Sequence, residues 1–201
     1  MLTAEEIEEI LQSGHELRAF EVKGPGDRTE AHLFAKVTRA ALSLANHRDG
    51  GHIIIGIDDK QATAMLPGLA EEQLTSWLSY DDLSRKLATY ADPPLRFEVA
   101  ARALASKVKV AVLEVFQFDD IPILCGRDYP GVLRRGACYV RSQRVPESAE
   151  IPTAAEMREL LDLASERRLR AYVGTAERAG VQLRGGPTAA ERFAAQLPTG
   201  W

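Results

Sequence analysis

Apolar positions recur along this chain at two periods, and the switches between them mark out its elements. Ile7, Ile10 and Leu11 share one stripe behind Thr3, which with Glu6 three residues on has the form of a capping box. A first helix of about three turns is predicted, stopped by Gly14. Leu17 to Lys23 then alternates, with Phe20 and Val22 opposed to Ala19, Glu21 and Lys23, and reads as a strand broken by the GPGD that follows. From Thr29 to Ala45 the period returns to helical through Leu33, Phe34, Val37, Ala41 and Leu44, and Gly50 and Gly51 close the segment. HIIIGID, residues 52–58, is a β-branched run of the kind buried on both faces at the centre of a sheet.

The later pattern adds one helix within Glu71 to Tyr90, ended by the DPP at 92–94, and paired strands at Leu95–Ala101 and Lys107–Phe118. Another strand is expected over Ala137–Arg141. Thr153 caps a final helix bearing Met157, Leu160, Leu161 and Ala164 and running towards Tyr172. An α-β-α-β-α order followed by strands and a helix predicts an α+β fold, a mixed or antiparallel sheet flanked by helices. Residues 1–172 are expected to form one domain. Residues 173–201 are assigned to a C-terminal tail, helical or partly disordered, in which Gly, Pro and Ala set no clear period from 180 onwards.

Composition narrows the classes. With 201 residues, 45% of them hydrophobic, the chain can fill one sizeable core. No run approaches the ~20 apolar residues that cross a bilayer, and the acidic N-terminal pattern lacks a leader's basic and apolar regions, so a cytoplasmic location is expected. Cys125 and Cys138 fit neither a disulfide framework nor a paired zinc motif, and read as reduced, small hydrophobes. The net charge of -4 gives no global basic signature, so a nucleic-acid partner needs a local patch. No G-x-x-x-x-G-K-[ST] stretch supports an ATPase reading.

Such a patch is visible. Arg127, Arg134, Arg135, Arg141 and Arg144 lie in a stretch whose one acid is Asp128, with Tyr129 and Tyr139 interleaved. Arginines without local acid partners can neutralise phosphates. Arg134, Arg135, Arg141 and Arg144 are taken as candidate nucleic-acid contacts, a solvated hairpin being the plainer reading. Glu21 and Lys23 share one face of a strand and read, on their own, equally as a solvated edge pair.

The ordered series Glu16, Glu21 and Lys23 (E-x4-E-x-K), a helix ending in LAN at 44–46, the Gly50–Gly51 pair, HIIIGIDD at 52–59 and GACYVRSQRV at 136–145 resembles the Schlafen AlbA-like domain family, over roughly residues 3–165. What that resemblance implies is nucleic-acid work. In members that cleave tRNA or rRNA, three carboxylates hold a divalent metal. Carried over by position these are Glu16, Glu21 and Asp59, with Mg²⁺ or Mn²⁺ as the metal and Lys23 beside the scissile phosphate. Hard cations do prefer carboxylate oxygens, and a metal so held stabilises charge developing on phosphate. The function expected from the resemblance is nucleic-acid binding, with metal-dependent endoribonuclease action on structured RNA such as tRNA. The alternative is a non-catalytic DNA- or RNA-binding regulatory module. A homodimer is expected because the family's RNA-embracing cores look like two such lobes, and the C-terminal tail is a candidate contact for a protein partner.

Overall fold

The computed structural model describes residues 1–13, 18–105, 107–141, 148–151 and 153–181. Helix α1 (Ala4–Ser13) begins as its capping box predicts, Thr3 Oγ1 accepting from the Glu6 amide at 3.2 Å and Glu6 Oε2 from the Thr3 amide at 2.8 Å. Then come β1 (Phe20–Lys23), α2 (Ala31–Ala45), β2 (Gly51–Ile55), a short 3-10 helix (Asp59–Ala64), α3 (Glu71–Leu78) and α4 (Tyr80–Ala88). The second half holds β3 (Ala91–Asp92), β4 (Phe97–Ala103), β5 (Lys109–Val115), β6 (Leu124–Cys125), β7 (Tyr139–Arg141), β8 (Ser148–Glu150) and α5 (Ala154–Arg178).

Four strands form a mixed sheet in the order β1-β2-β5-β4, with β1 parallel to β2 and the other pairs antiparallel. Two short pairs, β3-β6 and β7-β8, lie outside it. The fold is thus the predicted α+β architecture, its sheet covered on both faces. Ile53 and Ile55 enter a core shared with α2, α3 and α4, whereas Ile54 enters a second core with Ile7 and Leu11 of α1. That is why β2 reads as an unbroken apolar run: each face of it meets a different hydrophobic layer.

Several elements depart from the expected boundaries, β4 and β5 by a few residues at their ends. The helix read within 71–90 is two helices, broken at Ser79, whose ψ of 87° is not helical. The break lets Trp77 and Leu83 enter one core from two directions, and Trp77 Nε1 donates to the Gly26 carbonyl at 3.0 Å. The first strand begins at Phe20. The last helix continues past Tyr172 to Arg178 and stops where Gly180 takes a φ of 76°, the left-handed residue that ends many helices. Residues 182–201, most of the expected tail, lie outside the described residues.

Cys125 and Cys138 are free thiols, and burial raises both, Cys138 to about 11, so neither is a thiolate at neutral pH. Among the described residues no helix is long and apolar enough to cross a membrane.

Candidate nucleic-acid interface

The parallel register of β1 on β2 sets which way the charged side chains of β1 point. Glu21 pairs with Ile53 and Lys23 with Ile55, so both lie on the α2 face, while Phe20 packs into the second core on the other. The alternation read from the sequence is therefore present. It places a carboxylate and an ammonium where β7 crosses the end of β1.

There Arg141 meets them. Its guanidinium donates Nε to the Arg18 carbonyl at 2.9 Å and Nη2 to the Phe20 carbonyl at 2.8 Å, and Nη1 pairs with Glu21 Oε2. Lys23 Nζ takes the other oxygen, Glu21 Oε1. The Arg141 side chain is 2% exposed. Its planar fork ties β7 to β1, a geometry a lysine cannot reproduce. The arginine that the Y-V-R segment singles out thus sits inside the fold.

Of the carboxylates expected to hold a metal, Glu16 lies outside the described residues. Asp59 is exposed at the start of the 3-10 helix, whose Ala62 and the Met65 that follows pack into the second core. The neighbouring Asp58 accepts from the Lys60 amide at 3.0 Å and caps that turn. Among the described residues no three His, Cys, Asp or Glu side chains converge as metal ligands. Glu21 has both oxygens engaged by cations, which leaves it a poor ligand for a hard dication unless Arg141 and Lys23 withdraw.

A small cleft of about 60 Å³ opens beside the Arg141 clamp, lined by Arg18, His47, Arg48 and Arg141 and, from α5, Glu156 and Glu159. Arg18 Nη2 is buried there with no hydrogen-bond partner among the described residues. Burial, helped by the positive charges of Arg18 and Arg141, holds the His47 imidazole below its ordinary pKa despite the Gly50 carbonyl near its Nδ1. The loop before β2 is fixed by packing. A Cβ on Gly50, whose φ is 72°, would stand 2.1 Å from the Val115 carbonyl oxygen. Asn46 locks the end of α2 through its Nδ2 to the Tyr139 carbonyl at 3.0 Å and its Oδ1 to the Ile123 amide at 2.8 Å.

The exposed cations lie further along the same face. In the loop 126–137, closed by the Tyr129–Leu133 bridge, Arg134 and Arg135 are exposed. Arg134 pairs with Glu150, which lowers that carboxylate's pKa. Asp128 instead accepts the Arg135 backbone amide at 2.8 Å, and no ion pair engages the Arg135 side chain among the described residues. Arg144 lies outside the described residues. Helix α2 adds three residues not singled out by sequence: His32, Lys36 and Arg39, at i, i+4 and i+7 on its outer face. The His32 ring stands 6.2 Å from Tyr129 of the loop, and Arg39 acts electrostatically on Tyr139, whose hydroxyl accepts from the Arg134 amide at 2.8 Å. Helix and loop thus form one basic surface, on which no carboxylate pairs Lys36, Arg39, Arg127 or Arg135 among the described residues. Helical spacing of cations on α2 is the signal that could have found its share.

An α+β domain with a mixed sheet, a buried arginine clamp and a basic face defines the class of protein. Residues 16–149 match the family model described as Schlafen, AlbA_2, and the chain belongs to that family. Membership supports a nucleic-acid-binding role. Among solved structures the chain is similar to the DIP2311 protein of Corynebacterium diphtheriae, at 18% identity and a TM-score of 0.45, over 67% of this chain and 22% of that one. It is also similar to the N-terminal domain of a Nitrosomonas europaea protein named as related to the ATP-dependent DNA helicase RecG, at 24% identity and a TM-score of 0.47, over 67% and 88% of the two chains. No curated protein matches it.

Proposed function

We propose that this chain is a nucleic-acid-binding module that holds the phosphate backbone on the basic surface made by α2 and the loop 126–137. The observation that carries this is the set Lys36, Arg39, Arg127 and Arg135, four cations on adjoining elements with no carboxylate partner among the described residues. Unpaired cations on a chain of net charge -4 are free to neutralise phosphates without first breaking an internal pair. Backbone contacts of this kind hold RNA and DNA alike. Arg141 supports the surface from below by fixing β7 against β1.

The test is the anisotropy of labelled tRNA and of a labelled DNA duplex titrated with protein at low salt. Lys36→Ala/Arg39→Ala/Arg135→Ala is expected to weaken binding at least about tenfold, and Arg134→Ala less, because Arg134 already has Glu150. Unchanged affinity in the triple variant would sink the reading. Metal-dependent cleavage of structured RNA is the finer reading carried by family membership, with Glu16, Glu21 and Asp59 as ligands. It is supported if the same mixtures yield discrete tRNA fragments with Mn²⁺ or Mg²⁺ that vanish with chelator and with Glu21→Gln.

A further inference from the structure

The basic surface carries aromatic rings as well as cations. Tyr129, half-buried in the loop 126–137, has its ring centroid 6.2 Å from that of the exposed His32 on α2, with the two planes tilted by 43°. Two residues back in the same loop, the exposed Arg127 holds its guanidinium over the half-buried Tyr90 ring, 5.8 Å from the centroid. Tyr90 ends the turn after α4, and its carbonyl accepts from the Gly126 amide at 2.8 Å, which fastens that turn to the start of the loop. Its ring also stands 6.1 Å from that of Phe34, a fully buried residue of α2. One loop thus presents a ring pair and a ring-backed guanidinium, each braced against a neighbouring element.

Packing does not use up these rings. Tyr139 shows how this fold treats a tyrosine it keeps inside: the residue is buried, and its hydroxyl accepts from the Arg134 amide at 2.8 Å. Tyr90 and Tyr129 instead keep part of their surface in water, and no hydrogen bond holds either hydroxyl among the described residues. His32 lies one helical turn before Lys36, with Arg39 beyond it on the same side of α2. Rings set among cations that have no carboxylate partner among the described residues offer two contacts at once, charge for a phosphate and a π face for a base. Aromatic side chains and arginine planes stack on bases that are not paired. In a duplex each base is already covered above and below by its neighbours, and it must be taken out of the stack before it can lie on a side chain. An acidic protein would use the cations and leave the rings idle.

We infer that this surface takes single-stranded nucleic acid, with unpaired bases stacked on the His32–Tyr129 pair and on the Arg127 guanidinium while Lys36, Arg39 and Arg135 hold the phosphates. The inference rests on the nucleic-acid reading and adds the form of the ligand, an unpaired strand in preference to a duplex.

The experiment is anisotropy at low salt with the full chain and three labelled probes of equal length: oligothymidylate, the same backbone with every base replaced by an abasic site, and a DNA duplex. Oligothymidylate is expected to bind at least about fivefold more tightly than the abasic strand, which carries the same phosphates and no π face, and more tightly than the duplex. His32→Ala/Tyr129→Ala is expected to lose at least about fivefold on oligothymidylate and nothing on the abasic strand, and Tyr129→Trp to keep the affinity of the native chain. Equal binding of oligothymidylate and the abasic strand, or binding of the duplex as tight as that of oligothymidylate, overturns the inference and leaves the nucleic-acid reading standing. A loss in the double variant that the abasic strand shares in full overturns it too, the rings then serving the loop's own fold. Failure to bind any of the three probes overturns the nucleic-acid reading and this inference with it.

Discussion

Arg141 ties β7 to β1 through main-chain oxygens and a carboxylate. Two of its donors close on backbone carbonyls, Arg18 and Phe20, and a third meets Glu21, whose second oxygen is held by Lys23. Removing it leaves two carbonyls without their donor and Glu21 with Lys23 alone. Arg141→Ala is expected to cost about 3–5 kcal/mol, and Arg141→Lys nearly as much, because one ammonium cannot serve three acceptors in a plane. Urea unfolding measures this, and a loss under about 1 kcal/mol would show that the clamp does not hold the fold. The sequence made Arg141 conspicuous by its neighbours. It did not disclose the burial, because the partners lie far back along the chain and two of them are main-chain oxygens, which carry no sequence signal.

Between elements, the β2–β5 register sets His52 directly across from Glu114, next to the chain's amino terminus, which pairs with Glu114 at 2.6 Å. His52 Nε2 stands 3.5 Å from Glu114 Oε1, and burial outweighs that acid's pull, so the imidazole is held below its ordinary pKa. His47, before the same strand, is lowered for the same first reason. Both histidines bind a proton more readily in the unfolded chain, so stability present above about pH 6.5 is lost as pH falls towards the folded values. The melting temperature is expected to drop from about pH 7.5 to about pH 5.5, and His52→Gln to flatten that slope. An equally steep slope in the variant would remove His52 from the account. The basic face is also a product of elements: α2 was legible as a helix from its apolar period, yet that its outer face adjoins the loop 126–137 follows only from the packing of β7 and β8 on it.

Across the whole molecule, a net charge of -4 means that long-range electrostatics oppose a nucleic acid, and only the local patch attracts it. Binding through Lys36, Arg39, Arg127 and Arg135 predicts that log K against log salt falls with a slope of about -3 to -4 on duplex DNA, and nearer -1 once Lys36, Arg39 and Arg135 are all alanine. Titrations between low and physiological salt read this directly. A wild-type slope near zero would show that phosphates are not what the surface holds.

The sequence by itself determined the α+β class, the buried central strand, the capping box of α1, the opposed faces of β1 and the family series from Glu16 to Arg141. All of these are written in local period or ordered spacing, where neighbouring residues carry the information. Tertiary structure decided the rest. It divided the helix at Ser79 so that Trp77 and Leu83 share a core, and turned Arg141 inward. It left Glu21 held by two cations and left Met157, Leu161, Leu169 and Tyr172 of α5 exposed. Each of those depends on which distant surfaces meet, and contacts between residues far apart in the chain leave no periodic trace in it.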